Sequence, residues 1–366
     1  MMGQFVVRNL FHRPMRTLIG VMAVAVEVAL VVLIVGLTSG LLQETAKRIE
    51  GIGADVMLQS PSAQIFLTFS GSPMPIKIAD KLREMKYIKA VTPALLQFNS
   101  SGGVETIWGI DPGTFRDVSG GFIFQQGRDM QGPNDMLIDD WQAKAKHMGV
   151  GNTYNLLNRD WTVVGIVEHG KAGRIFVPLT TLQEMVGARE KASIFLVKCT
   201  RAEHTEDVIQ EMKDSFPGYP VRPLKDFMTL MTSTNIPGLQ TFINAMIALA
   251  ISIGLLVIFL TMYTTVLERT RDIGVLKSLG ASKLLIVRSL LTETAALCVL
   301  GVLAGVALSY AVRAGFLAIF PTLSILITPD WILRAGLIAL IGALVGASYP
   351  AWVATRKDVV ESLSYD

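Results

Sequence analysis

The chain has 366 residues, 17% of them charged, and a formal net charge of +3 at pH 7. Charged residues make up roughly 25% of ordinary globular domains, and here the apolar residues gather in four blocks, with a polar stretch over residues 43–236 after the first. This distribution excludes a wholly soluble enzyme, a disordered chain and a many-span carrier, and the small net charge argues against nucleic-acid binding.

The first apolar block, residues 17–42, contains a single charge, Glu27, and follows a basic N-terminal segment of residues 1–16. It is long enough to cross ~30 Å of hydrocarbon. It is also longer than the ~7–15 apolar residues of a signal peptide, which favours an uncleaved anchor. Three further blocks have the length of membrane spans, and they cover residues 241–266, 284–312 and 331–352.

Lysine and arginine predict the orientation of these spans. They occur in residues 1–16, in the link 267–283 and in the tail 353–366, whereas the loop 314–330 has none. Because short cytoplasmic segments carry an excess of these residues, both termini and the link are expected to be cytoplasmic. The sequence therefore predicts a membrane protein with four transmembrane α-helices per subunit and a large mixed α/β extracytoplasmic domain, residues 43–236, between helices 1 and 2.

The polar domain has helix and strand patterns but no recognisable catalytic set. Helical spacing continues from the first span as a stalk to about Ile49, a turn is predicted at Asp111-Pro112-Gly113, and Asp139-Asp140 is predicted to start a helix rather than form an acid/base pair. Neither HExxH, GxSxG nor a Cys/His metal spacing occurs. A structural or partner-binding domain is therefore expected. Strands are predicted over residues 54–59, 90–98, 105–110, 161–168, 174–177 and 193–198, and helices over 78–85, 139–147, 180–185 and 203–215.

The link between spans two and three is short and amphipathic. Ile273, Leu276 and Leu279 recur at helical spacing on one face. Gly280 has the place of a helix C-cap, and Lys277 suits the negative end of the helix dipole. A helix lying on lipid would show the same apolar face. The acidic residues among the basic ones, Glu268 and Asp272, favour a protein partner instead.

The link string ERTRDIGVLKSLGAS, residues 268–282, is followed by LLTE at residues 290–293 and by the tail YPAWVATRKDVVESL at 349–363. With Trp108-Gly109-Ile110-Asp111, residues 163–167 and residues 176–179 in the polar domain, these motifs resemble the permease subunits of MacB/FtsX-type ABC transporters. In that family the tail usually has a proline near Val359 and an alanine at Ser362, so the resemblance is imperfect there.

The resemblance implies a homodimer in a bacterial inner membrane and a separate cytoplasmic ABC ATPase docking at the link, the coupling helix. The ATP-binding pattern GxxxxGK(S/T) is absent from the 366 residues. The chain is therefore expected not to be an enzyme itself and to bind no cofactor. ATP and magnesium are expected to bind to the partner ATPase. A periplasmic adaptor is a further expected partner, besides membrane lipid. The expected coupling residues are Glu268, Asp272, Ile273, Gly274, Leu276, Lys277, Leu279 and Gly280.

Two functions fit this resemblance. The first is ATP-driven export or extraction of a hydrophobic or amphiphilic substrate by mechanotransmission. The second is transmembrane signalling that activates an extracytoplasmic partner, such as a cell-wall hydrolase, without transport. The long external domain favours the first, and a membrane-anchored enzyme is disfavoured because no catalytic set occurs.

Several residues inside the spans are candidates for contact with a substrate or for packing. A carboxylate within a span is costly unless it faces protein or water, so Glu27 either binds a ligand or forms a hydrogen bond, for example with Asn244 or Tyr263. Small residues spaced by four, at Gly36/Gly40, Gly301/Gly305 and Gly342/Gly346, allow close helix contact within the chain or between copies. The remaining candidates are the soft thioethers Met22, Met246 and Met262.

Overall fold

The computed structural model describes residues 14–61, 72–99, 105–225, 232–236 and 238–356. The chain divides into two compact units. The first takes its described residues from the ranges Met1–Ser39, Gly238–Ile319 and Ile325–Asp366, and the second from Gly40–Pro237 and Phe320–Ser324. The first unit is helical, and the second is built on a mixed β-sheet.

Four long helices confirm the four predicted membrane spans. Each is apolar and exceeds the ~20 residues that a span needs. The first does not stop at residue 42: it continues unbroken to Glu50 and has 37 residues, a length of about 55 Å at 1.5 Å per residue. The helices are α1 (Pro14–Glu50), α7 (Leu239–Glu268), α9 (Lys283–Ile319) and α10 (Pro329–Arg356), and the short α8 (Thr270–Ser278) follows α7.

Glycines let the long helices pack closely within one chain. A Cβ atom added at Gly301 would lie 2.5 Å from Cβ of Val24, and one at Gly305 would lie 2.7 Å from the carbonyl oxygen of Ala25. Helix α9 therefore approaches α1 at van der Waals distance only because these residues lack side chains. At Gly346 a Cβ atom would lie 3.0 Å from a carbonyl oxygen of α7. These glycines serve packing inside the chain.

The second unit contains a mixed sheet of ten described strands in the order β12-β1-β11-β3-β4-β9-β6-β8-β5, with β7 paired to β8. The pairs β4/β9 and β6/β8 are parallel, and the other pairs are antiparallel. A two-stranded sheet pairs β2 with β10. The strands are β1 (Val56–Gln59), β2 (Met74–Pro75), β3 (Ile88–Asn99), β4 (Glu105–Ile110), β5 (Phe124–Gly127), β6 (Asp135–Asp139), β7 (Thr153–Leu156), β8 (Arg159–Val167), β9 (Ile175–Pro178), β10 (Lys191–Ala192), β11 (Ile194–Cys199) and β12 (Val221–Pro223).

Short helices cover this sheet and bury two apolar clusters. One cluster contains Leu82 and Met212, and the other contains Trp161 and Leu182. The indole N–H of Trp161 donates to the carbonyl of Leu156 at 3.1 Å, so the largest buried side chain of that cluster has its polar atom satisfied. The helices are α2 (Ile78–Arg83), α3 (Pro112–Ser119), α4 (Asp140–Lys146), α5 (Leu179–Met185) and α6 (Thr205–Ser215).

Two local predictions for this unit need correction. Asp111-Pro112-Gly113 is not a turn but the start of α3, because the Asp111 carboxylate accepts the backbone N–H of Thr114 at 2.8 Å and caps the helix. Strand β6 was missing from the predicted elements, although all five of its residues are buried near the middle of the sheet. Asp139 at its end caps α4, as predicted.

Candidate functional site

The segment that follows α7 is a well-terminated helix with a defined end. Gly280 adopts φ of +88°, a conformation that L side chains rarely take. The N–H groups of Gly280 and Ala281 donate to the carbonyls of Lys277 and Leu276, each at 3.0 Å. This is the Schellman pattern, which satisfies the last carbonyls of α8 and reverses the chain into α9.

One side of α8 is held firmly by its neighbours. Arg269, just before α8, forms an ion pair with Glu293 of α9 at 2.9 Å, and the two side chains are only 17% and 11% exposed. The ammonium of Lys277 donates to the carbonyl of Thr355 in α10 at 2.9 Å. Ile273 is buried in the apolar core of the helical unit. The coupling segment is thus attached to both α9 and α10.

The other side of this segment presents apolar side chains to its surroundings. Leu279 is 78% exposed, and Leu284, at the start of α9, is 76% exposed. Leu276, Val275 and Leu285 are also exposed. Exposed apolar side chains grouped in one segment are typical of a surface that binds another protein or a membrane.

The structure divides the predicted coupling residues into two groups. Leu276, Leu279, Gly280 and Glu268 lie on the exposed side. By contrast, Ile273 and Gly274 are buried within the chain, and their part in coupling stays a prediction. Lys277 binds a carbonyl of α10 rather than only complementing the helix dipole, and the side chain of Asp272 lies outside the described residues.

Sequence reasoning missed three exposed apolar residues and one ion pair. The helix pattern accounted for Val275, and the predicted membrane span accounted for Leu284 and Leu285. Sequence alone does not distinguish a buried apolar residue from an exposed one. The Arg269–Glu293 pair joins residues 24 positions apart. The available signal was a basic residue in the link together with an acidic residue near the start of a span.

Glu27 lies inside the helical unit, 7% exposed, at a groove of about 480 Å³ between α1 and α7. Met22 lines the same groove and is exposed. Gly254 makes room for the carboxylate, because a Cβ atom there would lie 1.8 Å from Glu27 Oε2. The groove is otherwise apolar, so the structure places one carboxylate against hydrocarbon walls.

The partners predicted for Glu27 bind elsewhere. The side-chain oxygen of Asn244 accepts the amide of Gln240 at 3.0 Å, and Tyr263 stacks on Phe259 with ring centroids 6.0 Å apart. Met262 is buried beside a separate small cavity, and neither it nor Met246 lines the groove. Of the intramembrane candidates, the structure brings only Glu27 and Met22 together.

The acidic residues at the end of β6 have structural partners. Burial raises the pKa of the Asp139 carboxyl to about 6, although the N–H of Gln142 and the charges of Arg174 and Arg48 oppose that rise. Asp140 accepts from His169, whose Nδ1 lies 2.9 Å from Oδ1. Among the described residues no group of three His, Cys, Asp or Glu side chains could hold a metal ion.

A near match to a phosphate-binding loop has no such role here. Residues 165–172 read GIVEHGKA, with alanine where the pattern GxxxxGK(S/T) needs a hydroxyl. The segment leads from β8 into β9 and not into a helix. The Lys171 ammonium donates to the carbonyls of Ser119 at 3.0 Å and Gly121 at 2.5 Å. That lysine is held in place by the external domain's own backbone.

Comparison with known proteins identifies the family. The profile of the MacB-like periplasmic core domain matches residues 17–215, and that of the FtsX-like permease C-terminal domain matches residues 244–359. The macrolide export ATP-binding/permease protein MacB of Sodalis glossinidius (strain morsitans) is 28% identical over 393 residues, which cover 96% of this chain and 58% of that relative. The chain therefore spans less than two thirds of the length of such relatives.

Two solved structures are also similar, each at 17% identity. The periplasmic region of MacB from Actinobacillus actinomycetemcomitans has a TM-score of 0.39 and covers 50% of this chain and 96% of its own. The extracellular domain of the ABC-type transporter YknZ from Gram-positive bacteria has a TM-score of 0.36 and covers 46% of this chain and 99% of its own. From the two profile matches, the chain belongs to the family of MacB-like ABC transporter permeases, with a MacB-like periplasmic core domain followed by an FtsX-like permease domain.

Proposed function

We propose that this protein is the permease subunit of an ABC transporter that couples ATP hydrolysis by a separate cytoplasmic ATPase to the export or extraction of a hydrophobic or amphiphilic substrate. The observation that carries the proposal is the coupling segment. It is anchored on one side through Arg269 and Lys277 and presents exposed leucines on the other. A contact surface with rigid attachments can pass a partner's movement to the helices behind it.

The anchors indicate how such movement would spread. A displacement of α8 would pull on α9 through the Arg269–Glu293 pair and on α10 through Lys277. Helix α1 packs on α9 at Gly301 and runs without interruption from Pro14 to Glu50. A continuous helix moves as a unit, so we propose mechanical transmission through two nucleotide-dependent states. The MacB relative is described as a macrolide exporter, and a hydrophobic or amphiphilic cargo of this kind is the substrate class we propose.

The proposed assembly is a homodimer in the bacterial inner membrane with both termini cytoplasmic. The distribution of Lys and Arg supports this orientation. Each copy would offer one coupling segment to one ATPase subunit, and we expect ATP and magnesium to bind to that ATPase. A periplasmic adaptor and membrane lipid complete the proposed partners.

The double substitution Leu276→Asp, Leu279→Asp tests the docking surface. Both side chains are exposed, so the variant should fold and insert normally, whereas two carboxylates would prevent burial of this surface against the ATPase. We expect loss of ATPase co-purification and of substrate-stimulated ATP turnover in the reconstituted complex. The matched control is Ile123→Asp, Val150→Asp, which changes two exposed apolar residues of the external domain. Unchanged turnover in the coupling-segment variant would exclude this surface.

A further inference from the structure

The groove at Glu27 has the dimensions of a small-molecule site. Its volume of about 480 Å³ falls within the ~300–1,000 Å³ of ligand pockets. Apolar residues from both helices form its walls, and they include Leu18, Val26, Ile253 and Val257. Several are exposed in the apolar band of the spans, so a ligand could enter the groove sideways from the bilayer.

The single polar feature of the groove is a carboxylate that lacks a partner. Among the residues that the structure describes, none donates a hydrogen bond to Glu27 or forms an ion pair with it. Its side chain is nevertheless more than nine-tenths buried and belongs to the groove lining. A buried charge without a partner is strongly unfavourable, and an ionisable residue within a span is usually functional. A positively charged group bound in the groove would supply such a partner.

Gly254 is what permits this arrangement. The carboxylate lies directly on its backbone, since a Cβ atom would come 1.8 Å from Oε2 and 2.4 Å from Cδ. Any larger residue at 254 must displace the carboxylate. The position of the charge in the groove is thus determined by both helices.

We propose that the groove binds a lipophilic cation, whose apolar body fills the space between α1 and α7 and whose positive charge pairs with Glu27. The inference extends the proposed function, because it names a chemical class for the transported substrate. It requires only the permease chain, so its test is independent of the ATPase. Met22, an unbranched and polarisable side chain, suits a lining that accepts bodies of different shape.

The test is equilibrium binding of tetraphenylphosphonium to the full chain in nanodiscs of phosphatidylcholine. Tetraphenylborate has nearly the same shape and the opposite charge, and it is the matched control ligand. We expect saturable binding of the cation only. Glu27→Gln should weaken that binding at least about tenfold, which corresponds to about 1.4 kcal/mol, and Glu27→Asp should retain most of it.

A glycine pair provides a second variant that keeps the carboxylate. Gly254→Ala should displace Glu27 and weaken cation binding to a similar degree. Gly342→Ala is the control, because a Cβ atom there meets its nearest neighbour at 4.0 Å, and it should bind like the wild type. If Glu27→Gln fails to fold, this pair decides the question.

Three results would overturn the proposal. They are equal binding of cation and anion, wild-type affinity in a folded Glu27→Gln or Gly254→Ala variant, and absence of saturable binding. In the last case, an Ile253→Cys variant that forms a disulfide between copies would assign the groove to a second copy of the chain. None of these three results bears on the loss of ATP turnover expected for the Leu276→Asp, Leu279→Asp variant. They would therefore refute the cation site without refuting the proposed function.

Discussion

The ion pair between Arg269 and Glu293 should be essential for holding the coupling segment against the helix bundle. Its atoms are 2.9 Å apart and both side chains are largely buried. Removing one partner leaves the other charge buried without compensation, which costs about 3–5 kcal/mol in buried pairs. We expect Glu293→Gln to lower the free energy of unfolding by about 3 kcal/mol, which is within that range.

The structure contains a matched control pair on the surface. Arg334 and Asp330 are 3.0 Å apart on α10, but their side chains are 58% and 60% exposed. An exposed pair of this kind contributes about 0–1 kcal/mol, so Asp330→Asn should change the stability little. The two substitutions have the same chemistry and differ in burial.

The assay is SDS-induced unfolding of the full chain in mixed micelles, combined with ATP turnover in the reconstituted complex. Glu293→Gln, Arg269→Met and the double variant form a thermodynamic cycle. The double variant should be less destabilised than the sum of the two single variants, because it leaves no unpaired charge. A Glu293→Gln variant as stable as Asp330→Asn, or strictly additive effects, would show that the pair does not hold the segment.

Three further predictions concern backbone strain, packing and protonation. Gly280→Ala should destabilise the end of α8 by about 1–2 kcal/mol, because it places a Cβ atom at φ +88°. Gly315→Ala, at an open helical position, should not, and SDS titration of both variants compares them. Gly301→Ala should separate α9 from α1, since its Cβ atom would overlap that of Val24 at 2.5 Å; a loss of about 1–3 kcal/mol is expected, and wild-type stability would contradict the packing. In the external domain, burial raises the pKa of Asp139 to about 6, above about 3.9 in unfolded chains, so the native state binds the extra proton between these values. The free energy of unfolding should therefore fall as pH rises from about 4 to 6, as followed by tryptophan fluorescence of the full chain, and a folded Asp139→Asn variant with the same slope would rule out this carboxyl as the cause.

In the external domain, local sequence patterns predicted the secondary structure correctly where a residue type favours a single local structure. Asp139 was correctly predicted to start a helix because an aspartate before a helical pattern can accept its first N–H groups. The same chemistry applies at Asp111, yet the following Pro-Gly was interpreted as a turn, although proline is also favoured in the first turn of a helix. Strand β6 was missed because three apolar residues between two aspartates show neither alternation nor helical spacing.

Burial at the coupling segment depended on the neighbours of the helix. Helical spacing placed Ile273, Leu276 and Leu279 on one side, but the bundle buries only Ile273 and leaves both leucines exposed. The reason is geometric: an apolar stripe along a helix is wide enough to face two surfaces, and only packing selects which part is covered. Gly280, by contrast, was recognisable as the end of the helix because glycine readily takes a positive φ.

The sequence by itself determined that this protein crosses the membrane in four helices and carries an α/β domain between the first two. Long apolar runs have no other stable environment, because every backbone hydrogen bond must be satisfied within them. Tertiary structure alone decided which charges meet. It paired Glu293 with Arg269 and left Glu27 in an apolar groove against Gly254. Those outcomes depend on the rotation and approach of helices distant in sequence, which no local pattern specifies.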